Sequence, residues 1–158
     1  LVLRAQERGL SVVGILGMLV TFNLVYTLVS APAGSLSDRV GRRKVIVGGW
    51  LAYATIYLGF ALTGAGWQVW VLYGLYGLYY GLAYGTAKAL VADLVPVELR
   101  GTAYGTYNAT LGLIDFPASL LAGLLWQGIG PAAPFYFGAA TALAAAALML
   151  LWKAPAGE

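Results

Sequence analysis

Apolar residues run along this chain in five blocks, separated by short polar or glycine-rich breaks. The blocks cover about 10–33, 45–63, 67–92, 99–127 and 132–152. A helix rises about 1.5 Å per residue, so roughly 20 apolar residues cross about 30 Å of hydrocarbon. All five blocks are long enough. None shows the apolar–polar alternation that a spanning barrel strand requires. The pattern therefore predicts an all-α membrane protein with five transmembrane helices. Two breaks, Gly64-Ala65-Gly66 and Gly128-Ile129-Gly130-Pro131, read as uncharged turns. The other two, 34–44 and 93–100, are charged and are expected as loops.

Composition agrees with that solvent. The 158 residues are 61% hydrophobic and 9% charged, against roughly 25% charged in soluble domains. Too few polar residues are present to cover a soluble domain of this size, so the lipid bilayer is the first partner. The chain has no cysteine and no histidine. Disulfides and thiolate or imidazole metal sites are excluded, no cofactor is implied, and proton handling falls to carboxylates. The net charge of +3 is small and local, which does not read as a nucleic-acid surface. Arg39, Arg42, Arg43, Lys44, Arg100 and Lys153 fall on one side of the alternating spans, with Lys88 just inside, while Arg4 and Arg8 fall on the other. The excess of basic residues puts the 34–44 loop, the 93–100 loop and the C-terminus in the cytoplasm. The expected location is a bacterial inner (plasma) membrane. The chain begins at Leu1 rather than Met, and residues 1–11 lack the features of a signal peptide. Leu1-Val2-Leu3 before Arg4 reads as the tail of a helix, so a fragment is expected.

Two blocks carry finer patterns. Gly77, Gly81 and Gly85 repeat a G-x-x-x-G spacing that lets helices pack backbone to backbone. Tyr73, Tyr76, Tyr80 and Tyr84 share a neighbouring face. Near mid-depth a tyrosine hydroxyl needs a partner or a watery cavity, which makes Tyr76, Tyr80 and Tyr84 candidates for a cavity wall as well as for plain packing. In the next block Gly101, Gly105, Asn108, Gly112, Asp115, Ser119 and Gly123 form one stripe down one helix. Gly101, Gly105 and Gly112 read as packing positions and Asn108 as a cavity candidate. Asp115 lies about 22 Å along the helix from Arg100. A charge at such depth costs a few kcal/mol, so it faces protein or water, or stays protonated. Lys88, only about 7–8 Å deep, is out of its reach and reads as snorkelling to the interface. Asn23 or a residue outside the chain is left as the partner of Asp115. Two readings of Asp115 stand: a proton- or cation-linked carboxylate, or an Asp capping a break around Pro117. Asn23, Thr27 and Ser30 lead toward Gly34 on one face and suit interhelical hydrogen bonds, with Asn23 kept as a cavity candidate.

The densest charge in the chain is the run Gly34-Ser-Leu-Ser-Asp38-Arg39-Val-Gly41-Arg42-Arg43, followed by Lys44. A basic membrane anchor accounts for the arginines but not for Gly34, Asp38 and Gly41. Gly34 admits a close backbone approach, and Gly41 suits a tight turn. Asp38 suits an arginine partner or a helix N-terminus. The run resembles the cytoplasmic signature of the major facilitator superfamily, which lies between the second and third helices of each six-helix half. Asp93-Leu-Val-Pro96-x-Glu98-x-Arg100-Gly101 resembles that family's loop between the fourth and fifth helices. The resemblance covers essentially the whole chain and implies a partial six-helix half-bundle. The 67–92 block has no arginine and little chain follows the fifth block. Against the family pattern this implies the C-terminal half, helices eight to twelve with the end of helix seven, and a missing N-terminal half. The resemblance further implies a cytoplasmic gate made by Gly34, Asp38, Arg39, Gly41, Arg42 and Arg43, with the main partner of Asp38 in the missing half. Asp93, Glu98 and Arg100 join it in a local charge network, and the 67–92 helix lines the central cavity.

The function these residues imply is transport of a small solute by alternating access, one half rocking against the other about a midplane site. The fragment alone is expected to be inactive. The substrate, the direction, and proton coupling against facilitated diffusion stay open. The alternative is a five-helix membrane scaffold or assembly protein without transport activity. An enzyme is a poor reading, because catalytic His or Cys, paired carboxylates and a phosphate loop are all missing from the sequence.

Overall fold

The computed structural model describes residues 1–152, so Lys153 and the expected cytoplasmic C-terminus lie outside the described residues. The helices are α1 (Val2–Glu7), α2 (Val12–Val40), α3 (Arg42–Leu62), α4 (Gly66–Asp93), α5 (Arg100–Gly128) and α6 (Ala133–Leu151), with a 3₁₀ turn at Val97–Leu99. No strand occurs among the described residues. Four helices are long and apolar enough to cross a membrane on those criteria alone, not five. The exception is α4, at 28 residues long enough but diluted by Gly66, Gly74, Gly77, Gly81, Gly85 and its tyrosines. Its interior position compensates, since neighbours rather than lipid meet much of its surface.

The charged break at 34–44 is not a loop. α2 runs without interruption through Pro32 and through the whole of Gly34–Val40, and α3 starts at Arg42. Only Gly41 separates them, with φ of 99°, a left-handed backbone that glycine adopts without steric cost. Polar composition marks where a helix leaves hydrocarbon, not where its hydrogen bonding ends. The opposite end of α2 is fixed by Ser11, whose hydroxyl accepts from the Gly14 N–H at 3.1 Å, satisfying one of the free donors of the first turn.

α4 packs most extensively on α2, and α3 lies between α4 and α6. The α2–α4 contact is close because a Cβ on Gly77 would stand 2.6 Å from the Phe22 carbonyl oxygen, and one on Gly81 would stand 2.8 Å from Val29 Cγ1. Gly85, expected in the same role, has nothing within 4 Å. A core of Met18, Ile56, Phe60, Val69, Tyr73 and Phe135 ties α2, α3, α4 and α6 together. Ala54, Ala139 and Ala142 close the α3–α6 seam. α5 differs from the rest. It has no buried residue, and positions 101, 105 and 112 have no atom within 4 Å of an added Cβ. The packing role expected of Gly101, Gly105 and Gly112 thus meets no partner among the described residues.

Candidate functional site

Alternation of the helices gathers the charged motif, the end of α4 and the end of α6 at one end of the bundle. Arg42 is the hub. Its Nη1 lies 3.4 Å from Asp38 Oδ1, one turn back. Its Nε donates to Asp93 Oδ2, and its Nη2 to Asp93 Oδ1 at 3.3 Å. One guanidinium therefore joins the α2 end, the α3 start and the α4 end. Arg43 beside it donates to the Met149 carbonyl at 2.7 Å and the Leu150 carbonyl at 2.5 Å. Those oxygens belong to the last turn of α6, where carbonyls lack intrahelical partners and a cation is favoured.

The membership of this network differs from expectation. Arg39 and Glu98 form no ion pair among the described residues, and Arg100 donates instead to the Ala92 carbonyl at 3.3 Å. The reason is geometric: Glu98 sits in the 3₁₀ turn beyond α4, while Arg42 at the start of α3 faces the α4 end directly. Gly34 has nothing within 4 Å of an added Cβ, so the close approach expected there is not made by the described residues. The Asp38 side chain has one arginine partner and stays 66% exposed.

At the opposite end sits a residue that sequence reasoning counted only as an outside charge. Arg4 is 2% exposed. Its Nε donates to the Phe60 carbonyl at 3.1 Å, and its Nη2 to the Ala61 and Thr63 carbonyls at 2.9 and 3.4 Å. Glu7 Oε2 balances it at 2.7 Å. Arg4 thereby caps the C-terminus of α3, more than fifty residues along the chain. No local pattern announces it.

Between the two ends, α3, α4 and α5 enclose a cavity of about 660 Å³. Tyr80, Tyr84, Asn108 and Asp115 line it, together with Trp50, Tyr79 and Tyr107. Its lining runs from Ile46 and Ala87, near the Arg42 end of the bundle, to the middle of α5, where Asp115 is about 22 Å along the helix from Arg100. Gly112 lines the cavity wall rather than a helix contact. Tyr79 and Tyr107 were legible as neighbours of Tyr80 and Asn108; Trp50 was not, because it needs the α3–α4 pairing. Tyr76 belongs elsewhere. Its ring packs within 5.2–6.0 Å of the rings of Phe22, Tyr53, Tyr57, Tyr73, Tyr79 and Tyr80, inside the aromatic core. Asn23 lies in a shallow groove on α2 with Val20, Leu24 and Thr27, and its amide donates to the Leu19 carbonyl at 2.8 Å. It is not the partner of Asp115. Nor does Asp115 cap a break, since α5 continues through Pro117 to Gly128. Lys88 places Nζ 4.7 Å from the Tyr84 ring centroid. No group of three or more metal-ligating side chains occurs among the described residues.

Comparison with known proteins agrees with this architecture. The Major Facilitator Superfamily profile matches residues 2–158. An uncharacterised MFS-type transporter of Methanocaldococcus jannaschii is 36% identical over 94% of this chain and 39% of its own length. The multidrug resistance protein MdtG of Proteus mirabilis is 31% identical over 78% of the chain and 31% of its own length. The cis,cis-muconate transport protein of Acinetobacter baylyi is 34% identical over 76% of the chain and 29% of its own length. The chain thus spans between about three-tenths and two-fifths of the curated relatives it matches.

Proposed function

The chain belongs to the major facilitator superfamily, and from that premise we propose that it forms five helices of the C-terminal half of a transporter that moves a small solute by alternating access. The protein is a multi-pass integral membrane protein of a superfamily of transporters. The proposal concerns how this chain takes part. The observation that carries it is the cavity between α3, α4 and α5, walled by rings and holding one carboxylate, Asp115, at the middle of α5. Polar groups at mid-depth are costly unless they serve a substrate or ion path, and alternating-access transporters place their sites there. The open side of the cavity and the unburied α5 then face the other half of the protein.

In this reading the Asp38–Arg42–Asp93 cluster is the gate. It holds α2, α3 and α4 at the cytoplasmic end, and the exposed Asp38 is free to engage the other half. The protein sits in the plasma membrane of a bacterium with that end inside. Coupling to protons runs through Asp115. Reduced to these 158 residues, the protein inserts but does not transport, because α5 has no covering partner. The test is transport by the full-length protein carrying Asp38→Asn, with expression monitored in the same cells. Normal protein level with transport lowered about tenfold, the equivalent of one contact to the other half worth about 1.4 kcal/mol, is the expected result; unchanged transport removes Asp38 from the gate. For coupling, Asp115→Asn should flatten the dependence of transport on pH, and a profile identical to wild type rules Asp115 out as the proton site.

A further inference from the structure

We infer that the cavity between α3, α4 and α5 takes a monovalent organic cation bearing apolar or aromatic bulk. This rests on the transport reading above and adds the chemical class of the solute. Five aromatic side chains, Trp50, Tyr79, Tyr80, Tyr84 and Tyr107, share the wall with one carboxylate, Asp115, and no arginine or lysine lines it. A ring presents negative potential on its face, and a cation within about 6 Å of its centroid is attracted, most strongly by tryptophan. The wall already shows this in use, since the Lys88 ammonium lies 4.7 Å from the centroid of Tyr84. Trp50 and Tyr107 make no ring pair among the described residues, whereas Tyr79 and Tyr80 are paired with each other at 5.6 Å. Two rings of the wall, one on α3 and one on α5, are thus free of aromatic neighbours.

Asp115 makes no hydrogen bond and no ion pair among the described residues. At the middle of a membrane helix a lone carboxylate attracts a positive partner far more strongly than in water, because the surroundings screen it poorly. An anion would meet that carboxylate and the negative ring faces, and the cation at the wall, Lys88, is already seated on the Tyr84 ring. A neutral solute would leave the carboxylate unpaired. The single carboxylate balances one positive charge, and the size of the cavity, about 660 Å³, suits a drug-sized molecule rather than a metal ion.

The experiment uses the purified full-length protein in lipid nanodiscs and measures equilibrium binding of three probes of similar shape: tetraphenylphosphonium, neutral triphenylphosphine oxide and anionic tetraphenylborate. Wild type should bind the phosphonium in preference to the other two. Asp115→Asn should weaken phosphonium binding about tenfold or more, the equivalent of one charge contact, and leave the phosphine oxide unchanged, while Asp115→Glu keeps most of the binding. Trp50→Leu should weaken the phosphonium more than the phosphine oxide. Failure of wild type to bind the phosphonium, equal binding of all three probes, preference for the borate, or phosphonium binding indifferent to Asp115→Asn would each overturn the cation class. None of these outcomes touches the transport reading, which is tested separately by Asp38→Asn at the far end of the bundle.

Discussion

Arg4 shows how much one side chain holds at the outer end of the bundle. It is 2% exposed, yet three of its contacts are backbone carbonyls of residues 60, 61 and 63, the unpaired acceptors at the end of α3. Its charge is balanced by Glu7, and it ties the six-residue α1 to the α3–α4 hairpin. Removing it takes the side-chain donor from the Ala61 and Thr63 carbonyls, leaves the Phe60 carbonyl to the Thr63 hydroxyl, and leaves Glu7 only the longer contact with Arg8 at 3.8 Å. Arg4→Ala should therefore cost about 2–4 kcal/mol, read as a lowered midpoint of thermal unfolding in detergent. Arg4→Lys should recover only part, because an ammonium is a point donor and cannot span the carbonyls and Glu7 in the fork that guanidinium provides. A lysine variant as stable as wild type would show that the charge alone matters. Sequence reading assigned Arg4 to the outer side but not to α3, because its meaning depends on a helix end more than fifty residues away. Asp38 and Asp93 were singled out from their motif, and the structure brings both to Arg42. Glu98 and Arg100 came from the same loop motif as Asp93, yet the 3₁₀ turn at Val97–Leu99 takes them away from Arg42.

Helices were the most legible level. Apolar blocks of membrane length produced five long helices, because length and apolarity are local properties. Their ends were less legible. Pro32 and the polar Gly34–Val40 stretch looked like the end of a span, yet α2 continues to Val40, since water as well as lipid tolerates a hydrogen-bonded helix. Glycine spacing was half informative. The period identified one face of α4, but only contact with α2 decides which glycines on it matter. Gly77→Ala would drive a methyl to 2.6 Å from the Phe22 carbonyl oxygen, and Gly81→Ala to 2.8 Å from Val29 Cγ1. The first obstacle is backbone; the second is a β-branched side chain with little rotamer freedom. Each substitution should destabilise by about 1–3 kcal/mol. Gly85→Ala meets nothing within 4 Å and should be neutral or stabilising by up to about 1 kcal/mol, the helix-propensity difference. Thermal unfolding of the three alanine variants side by side checks this, and Gly77→Ala and Gly81→Ala variants as stable as Gly85→Ala would show that α2 and α4 do not meet at Gly77 and Gly81.

On the scale of the whole molecule, α5 is where the bundle remains open. α2, α3, α4 and α6 share one core, whereas α5 touches α4 and α6 lightly and buries no residue. Its two faces differ in kind. Asn108, Gly112 and Asp115 line the cavity against α3 and α4, and Ser119 and Gly123 continue the same stripe into a second cleft beside Trp126 and Phe135. Leu113, Leu120 and Leu124 fall on a different side of the helix from that stripe and are exposed. A helix with one stripe wet and the other apolar fits a transporter in which water reaches the cavity side while lipid or the other half covers the rest. The 158 residues contain no cysteine, so each position can be probed by one substitution without clearing others from this region. Cysteines at 108, 112, 115 and 119 in the full-length protein in membranes should react with a small, charged, water-soluble thiol reagent. Cysteines at 113, 120 and 124 should react at least about tenfold more slowly, because the thiolate that reacts does not form in an apolar setting. The expected signature is a reactivity maximum every three to four residues, the repeat of one helix face. Equal reactivity around the helix would mean that α5 is bathed by water on all sides, and a maximum on the 113–120–124 face would turn the helix and remove Asp115 from the cavity.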